Sequence, residues 1–277
     1  MLGVELNKNA TGKSKDLKKL HKTLKSGIRE KRINASESEI QNTVRLVGKL
    51  IEIAGYFSDS RKMRNRIGLS LLQKPIRIIA PVCPDYGHQD GKYIFGSVEG
   101  GISLLALKHI EFLQEVSSII PGARITLIVA DQEALDDDIC RSVNKDSSQF
   151  RELILQTKNA IGEKVSSKGW EVDLMTSFMP ALLDEETRYA REIGDDPNLM
   201  TRITSETISR TDMYLKIKSG MTECQMKERT IKTAAQYLAF GKFAEENSMI
   251  ICNHTTVNLS WYLKSNAAIL HNPVEVY

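Results

Sequence analysis

The sequence has few of the residues from which disulfide, metal and membrane proteins are built. Its four cysteines, Cys83, Cys140, Cys224 and Cys252, stand far apart with no C-x-x-C pair. That argues against a disulfide framework or a zinc ribbon and reads as reduced thiols. The five histidines form neither H-E-x-x-H nor H-x-x-x-H, so no metal site is indicated. No apolar run approaches the roughly 18 residues that a membrane span needs. The basic N-terminus has no apolar segment behind it and carries mostly Lys rather than Arg, so neither a secretory nor an organellar leader is expected. The expectation is a cytoplasmic protein with no membrane partner.

What is present is ordinary in amount and uneven in placement. A 41% apolar and 26% charged composition suits a globular α/β chain with a sizeable core. Residues 8–32 hold ten Lys and Arg against two acids, a local +8, so the rest of the chain carries about −5 of the total +3. A second basic cluster follows at Arg61, Lys62, Arg64 and Arg66. Residues 1–33 show no clear apolar period and read as a basic, partly disordered arm, either solvated or serving as an electrostatic tether to RNA. Residues 34–277 read as one domain. It opens with the capping box Ser36-Glu37-Ser38-Glu39 ahead of an apolar stripe at Ile40, Val44, Val47 and Ile51.

The stretch from Pro75 to Asp131 organises the remainder. Ile76–Val82 is a β-branched run, Ile102–Val116 an apolar helix, and Ile125–Ala130 a second buried strand after the Pro121-Gly122 break. Strand, crossover helix and strand make a βαβ unit, whose strands are parallel. Further strand-like runs fall at 170–175, 249–252 and 268–270, and helical ones at 145–167, 180–218 (broken at Asp195-Asp196-Pro197) and 222–246. The expected fold is α/β, Rossmann-like, with a mostly parallel sheet and helices on both faces.

In such sheets the ligand lies beyond the carboxyl ends of the strands. Polar and titratable residues stand there in every case: Cys83, Asp85 and Tyr86 after the first run, Asp131 after the second, Asn253 and His254 after the next, and His271 after the last. The turn Gly96-Ser97-Val98-Glu99-Gly100-Gly101 enters the buried helix and offers an anion site at its start. It matches neither G-x-G-x-x-G nor a Walker loop, and no cofactor is expected. The expected pocket has His254 as general base, Asp131 and His271 as its acid–base partners, and Cys83 as a possible nucleophile. Asp85, Tyr86, Gly96, Ser97, Glu99, Gly100 and Asn253 would bind substrate. Asp136-Asp137-Asp138 reads as charge at a helix N-terminus, and His109, between Leu105 and Leu113, as a hydrogen-bonded core histidine.

The order of these features resembles the isocyanide (isonitrile) synthases of the PvcA type. The resemblance is carried by Ile78-Ile79-Ala80-Pro81-Val82-Cys83-Pro84, the Gly96–Leu107 segment, Pro121-Gly122-Ala123-Arg124 leading to Ala130-Asp131, and the tail pieces Ile251-Cys252-Asn253-His254 and Leu270-His271. It covers roughly 75–165 and 225–273. The chain departs from that family at Cys83-Pro84-Asp85-Tyr86, Val98-Glu99, Ala130 and Leu270. The resemblance implies condensation of an L-amino acid amine with a sugar phosphate. The layout also resembles the cyclodipeptide synthases in its basic segments, 8–32 and 61–66, and in the helix 145–167. Cys83 stands where those enzymes carry a serine, and Gly241 where their Tyr-x-x-x-Glu helix has its acid. That likeness implies aminoacyl transfer from aminoacyl-tRNA. A basic RNA-binding adaptor without catalysis is the third reading.

Overall fold

The β-branched runs become strands because, buried on both faces, they lose nothing by lacking a polar alternation. The computed structural model describes residues 5–82, 86–89, 92–95, 101–142, 144–201, 222–253 and 265–273. The strands are β1 (Arg77–Val82), β2 (Tyr86–Gln89), β3 (Lys92–Phe95), β4 (Arg124–Val129), β5 (Glu171–Leu174), β6 (Ile250–Asn253) and β7 (Ala268–His271). The helices are α1 (Glu5–Glu30), α2 (Glu37–Ile53), α3 (Arg61–Leu71), α4 (Leu104–Ile119), α5 (Asp137–Ser142), α6 (Ser147–Val165), α7 (Met175–Phe178), α8 (Leu182–Gly194) and α9 (Glu223–Glu246).

One sheet of five parallel strands runs in the order β5-β4-β1-β6-β7. This is the Rossmann-like α/β arrangement. From β1 the chain steps outward through α4 to β4 and through α6 to β5. Right-handed crossovers lay those two helices on one face. The return from β5 to β6 travels the other way through α8 and α9, which pack on each other, and that sense lays them on the opposite face. Ile78, Ile79, Leu127, Ile128, Ile251 and Leu270 are wholly buried in the core between these layers. Each such side chain contributes about 1.5–3 kcal/mol in transfer free energy.

The helix ends follow their local chemistry. Ser36 caps α2, accepting from the Glu39 backbone while the Glu39 carboxylate accepts from Ser36, a complete capping box. Asp146 with Gln149 and Thr222 with Gln225 repeat the motif at α6 and α9. Gly169 adopts the left-handed conformation, φ 66°, that ends the α6 segment ahead of β5.

The structure corrects two expectations. The segment read as an arm without an apolar period is helical over Glu5–Glu30, and Leu20, Leu24 and Ile28 are buried. Their spacing of four puts them on one face, against α2 and α3. Two glycines permit the close crossing with α3. A Cβ at Gly27 would come within 2.9 Å of Leu69, and one at Gly68 within 2.7 Å of Leu24. Second, the stretch at Tyr86, expected only to supply polar residues after the first strand, pairs as an antiparallel hairpin, β2 with β3, and β2 packs on α4. On the outer side of the helix α4, Lys108, Glu111, Gln114 and Glu115 are exposed.

Candidate functional site

The sheet reverses its direction of growth between β1 and β6, the position where parallel sheets of this kind open a crevice. Pro81 widens that opening. The carbonyls of Ile76 and Val82 accept from Arg124 and Ala130 on the β4 side. Alternation along a strand then turns Pro81 toward β6, where its missing N–H leaves the ladder without a donor. Pairing with β4 continues through Pro81↔Ile128 to Val82↔Val129, whereas pairing with β6 stops at Ile79↔Ile251.

Among the proposed site residues, Asp131, Asn253 and His271 are described in full, and all three stand at the carboxyl ends of parallel strands. Tyr86 is the first residue of β2. Cys83, Asp85, Gly96, Ser97, Glu99, Gly100 and His254 lie outside the described residues. The three described residues form two groups. The ends of β4 and β6 are separated by β1, hence by about 10 Å, and β7 is one strand further, at about 14 Å. Asp131 therefore does not touch the residues at the ends of β6 and β7; only a ligand lying across β1 would reach both groups.

On the β4 flank Asp131 is buried and accepts from the Thr176 backbone N–H at 2.9 Å and the Thr176 hydroxyl at 2.5 Å. Its carboxylate thus ties the end of β4 to the first turn after β5. Five residues on, Asp136 is also buried and forms ion pairs with Arg229 and Lys232 of α9. The Lys232 ammonium stands 2.9 Å from Asp136 and 3.9 Å from Glu186 of α8. Gln236 donates to Glu186 at 2.9 Å, and burial pushes the Glu186 carboxyl above its usual range. The aspartate run thus does more than charge a helix end: Asp136 anchors α9 over the end of β4. The two termini of that contact are 93 positions apart, which no local pattern signals.

Among the described residues, the carboxyl ends of β6 and β7 carry no buried charge. Asn253 and His271 are register partners, and the Asn253 carbonyl accepts from the Asn272 N–H at 2.7 Å. The backbone of His271 is clasped by the α2–α3 connection: its N–H donates to the Ser58 hydroxyl and its carbonyl accepts from the Gly55 N–H, each at 2.8 Å. Its ring lies on Gly55, where a Cβ would stand 2.1 Å from Nδ1. Burial drives the His271 pKa from 6.5 down to about 4, so the imidazole is neutral at physiological pH. Asn272 Nδ2 lies 3.1 Å from His109 Nδ1, and with the amide as donor the His109 proton sits on Nε2. His109 is wholly buried and hydrogen-bonded, as its place among leucines indicated.

Cys252 and Cys140 are buried free thiols whose pKa values burial raises, which disfavours the thiolate form a nucleophile needs. Among the described residues no group of three or more His, Cys, Asp or Glu is placed to hold a metal ion. No helix among them is long and apolar enough to cross a membrane. The basic segments meet: α1 packs on α3, so Lys31 and Arg61 share one surface. No family model matches the chain, and no curated protein is significantly similar to it.

Proposed function

We propose that the chain is a synthase acting on an amino-acid substrate in the crevice between β1 and β6. Its reaction condenses the substrate amine with the carbonyl carbon of a sugar phosphate, releasing water. The observation that supports this reading is the grouping of Asp131 on one side of the reversal and Asn253 with His271 on the other. A substrate across β1 meets a carboxylate on the first side and uncharged hydrogen-bonding groups on the second. The neutral His271 is too acidic in its protonated form to serve as the base at pH 7; in this reading it shapes the wall, and His254 takes the proton from the amine. Incubating the purified chain with an L-amino acid mixture and pentose phosphates, with mass spectrometry of the small molecules, tests the reading. A new species with the mass of the amino acid plus the pentose phosphate less one water is expected; unchanged amino acids would overturn it.

A second reading, aminoacyl transfer from aminoacyl-tRNA, is favoured by one observation, the shared surface of α1 and α3. It requires tRNA binding that falls steeply with salt, because bound cations displace counterions from the phosphates. Cyclic dipeptides would appear in place of the sugar-phosphate adduct.

A further inference from the structure

Arg66 is a buried cation held by neutral acceptors. It is 8% exposed, and its guanidinium donates to the neutral acceptors Asn266 Oδ1 at 2.8 Å and the Ala267 carbonyl at 3.4 Å. No acidic side chain among the described residues forms an ion pair with it. Glu245 acts on it through space without forming an ion pair, and Glu245 Oε2 accepts from Lys242 and the Asn266 N–H. Buried charges are ordinarily paired, because desolvation without compensation is costly.

Arg66 lines a groove of about 520 Å³ between α1, α3 and the residues leading into β6 and β7. That is the volume of an ordinary small-molecule site. Lys31, Arg61 and Lys62 line it too; all three are exposed and none makes an ion pair among the described residues. The cations at 61 and 62 also sit in the first turn of α3, where no acidic residue offsets the positive helix end. Four positive side chains therefore converge on one concavity. The groove lies beside the segments entering β6 and β7, at the sheet's amino edge, away from the strand-end site.

We propose that this groove binds a small phosphorylated ligand, of nucleotide or pyrophosphate type, whose phosphates give Arg66 the ion-pair contact it does not make among the described residues. Glu30 and Glu245 also line the groove, and they decide its scale. A long polyanion threading it would pass both carboxylates, whereas a compact phosphate group needs only the part of the groove lined by Arg61, Lys62 and Arg66. The site does not depend on the reaction proposed for the strand ends.

Isothermal titration calorimetry of the full chain at low salt, with inorganic pyrophosphate and with ADP as probes, tests it. Both are expected to bind, and the double change Arg61→Ala with Lys62→Ala should weaken each by about tenfold to a hundredfold, the usual weight of charge-assisted hydrogen bonds. Arg61→Lys should retain most of the binding, and the melting temperature should not change, since both side chains are exposed. Absence of heat with either probe, or affinity unchanged in the double variant, would overturn the proposal. So would tRNA binding that neither pyrophosphate nor ADP displaces, which would make the groove part of a nucleic-acid surface.

Discussion

The two flanks of β1 bury polar groups by opposite means. Toward β4 the groups are charged, and each charge is met: Asp131 by two donors of Thr176, Asp136 by Arg229 and Lys232. Toward β6 and β7 they are neutral amides, a hydroxyl and imidazoles, and His271 stays uncharged. The difference follows from what each flank packs against. The β4 end lies under α9, which brings cations, whereas the β7 end lies under the link between α2 and α3, which brings Gly55 and Ser58. A substrate spanning β1 would thus find fixed charge on one side and polarity without charge on the other.

The largest effect should come from the charged flank. Asp136→Ala leaves Arg229 buried without its carboxylate and should cost about 3–5 kcal/mol in urea unfolding. Replacing both partners by apolar residues should recover much of that. A loss below about 1 kcal/mol would show the cluster to be solvated and the contrast between flanks to be wrong.

Next is the pH dependence of the neutral flank. His271 has a folded pKa of about 4 against 6.5 unfolded, so between those values the unfolded chain binds the additional proton. Its contribution is fully present above pH 6.5 and is lost as pH falls toward 4, by about 2–3 kcal/mol at most. His271→Asn should remove that component, making the variant's stability curve flatter than the wild type's over pH 4–6.5. Equal slopes would mean that the ring is protonated in the folded protein.

Gly55→Ala should follow, at about 1–3 kcal/mol, because the new methyl meets the His271 ring. Combining it with His271→Ala should relieve most of the cost, and simple additivity would deny the contact. Smallest is Thr176→Val, about 1 kcal/mol for one hydroxyl donor to Asp131, read by denaturant titration.

All five sheet strands were legible in the sequence, four as short apolar runs and β5 by the alternation of Trp170-Glu171-Val172-Asp173-Leu174. The strand-end rule then located Asp131, Asn253 and His271 at one edge. Other features were hidden for physical reasons. The stripe Leu20, Leu24, Ile28 is spaced for a helix, but the surrounding lysines masked it. The hairpin has a local signal, Asp90-Gly91 between the paired residues Gln89 and Lys92, but the polar Gly87-His88-Gln89 ahead of it hides the first strand. The clasp of His271 by Ser58 joins residues 213 positions apart and arises only from packing. The same holds for Arg229 and Lys232, whose partner Asp136 looked like a helix-end charge.

The central claim is that chemistry occurs at the carboxyl ends around β1, with His254 as the base. Turnover of His254→Ala, measured beside its melting temperature, tests it most directly. A fall of about 10²–10⁴ in rate with an unchanged melting temperature is the predicted result. Full turnover in that variant would contradict the account.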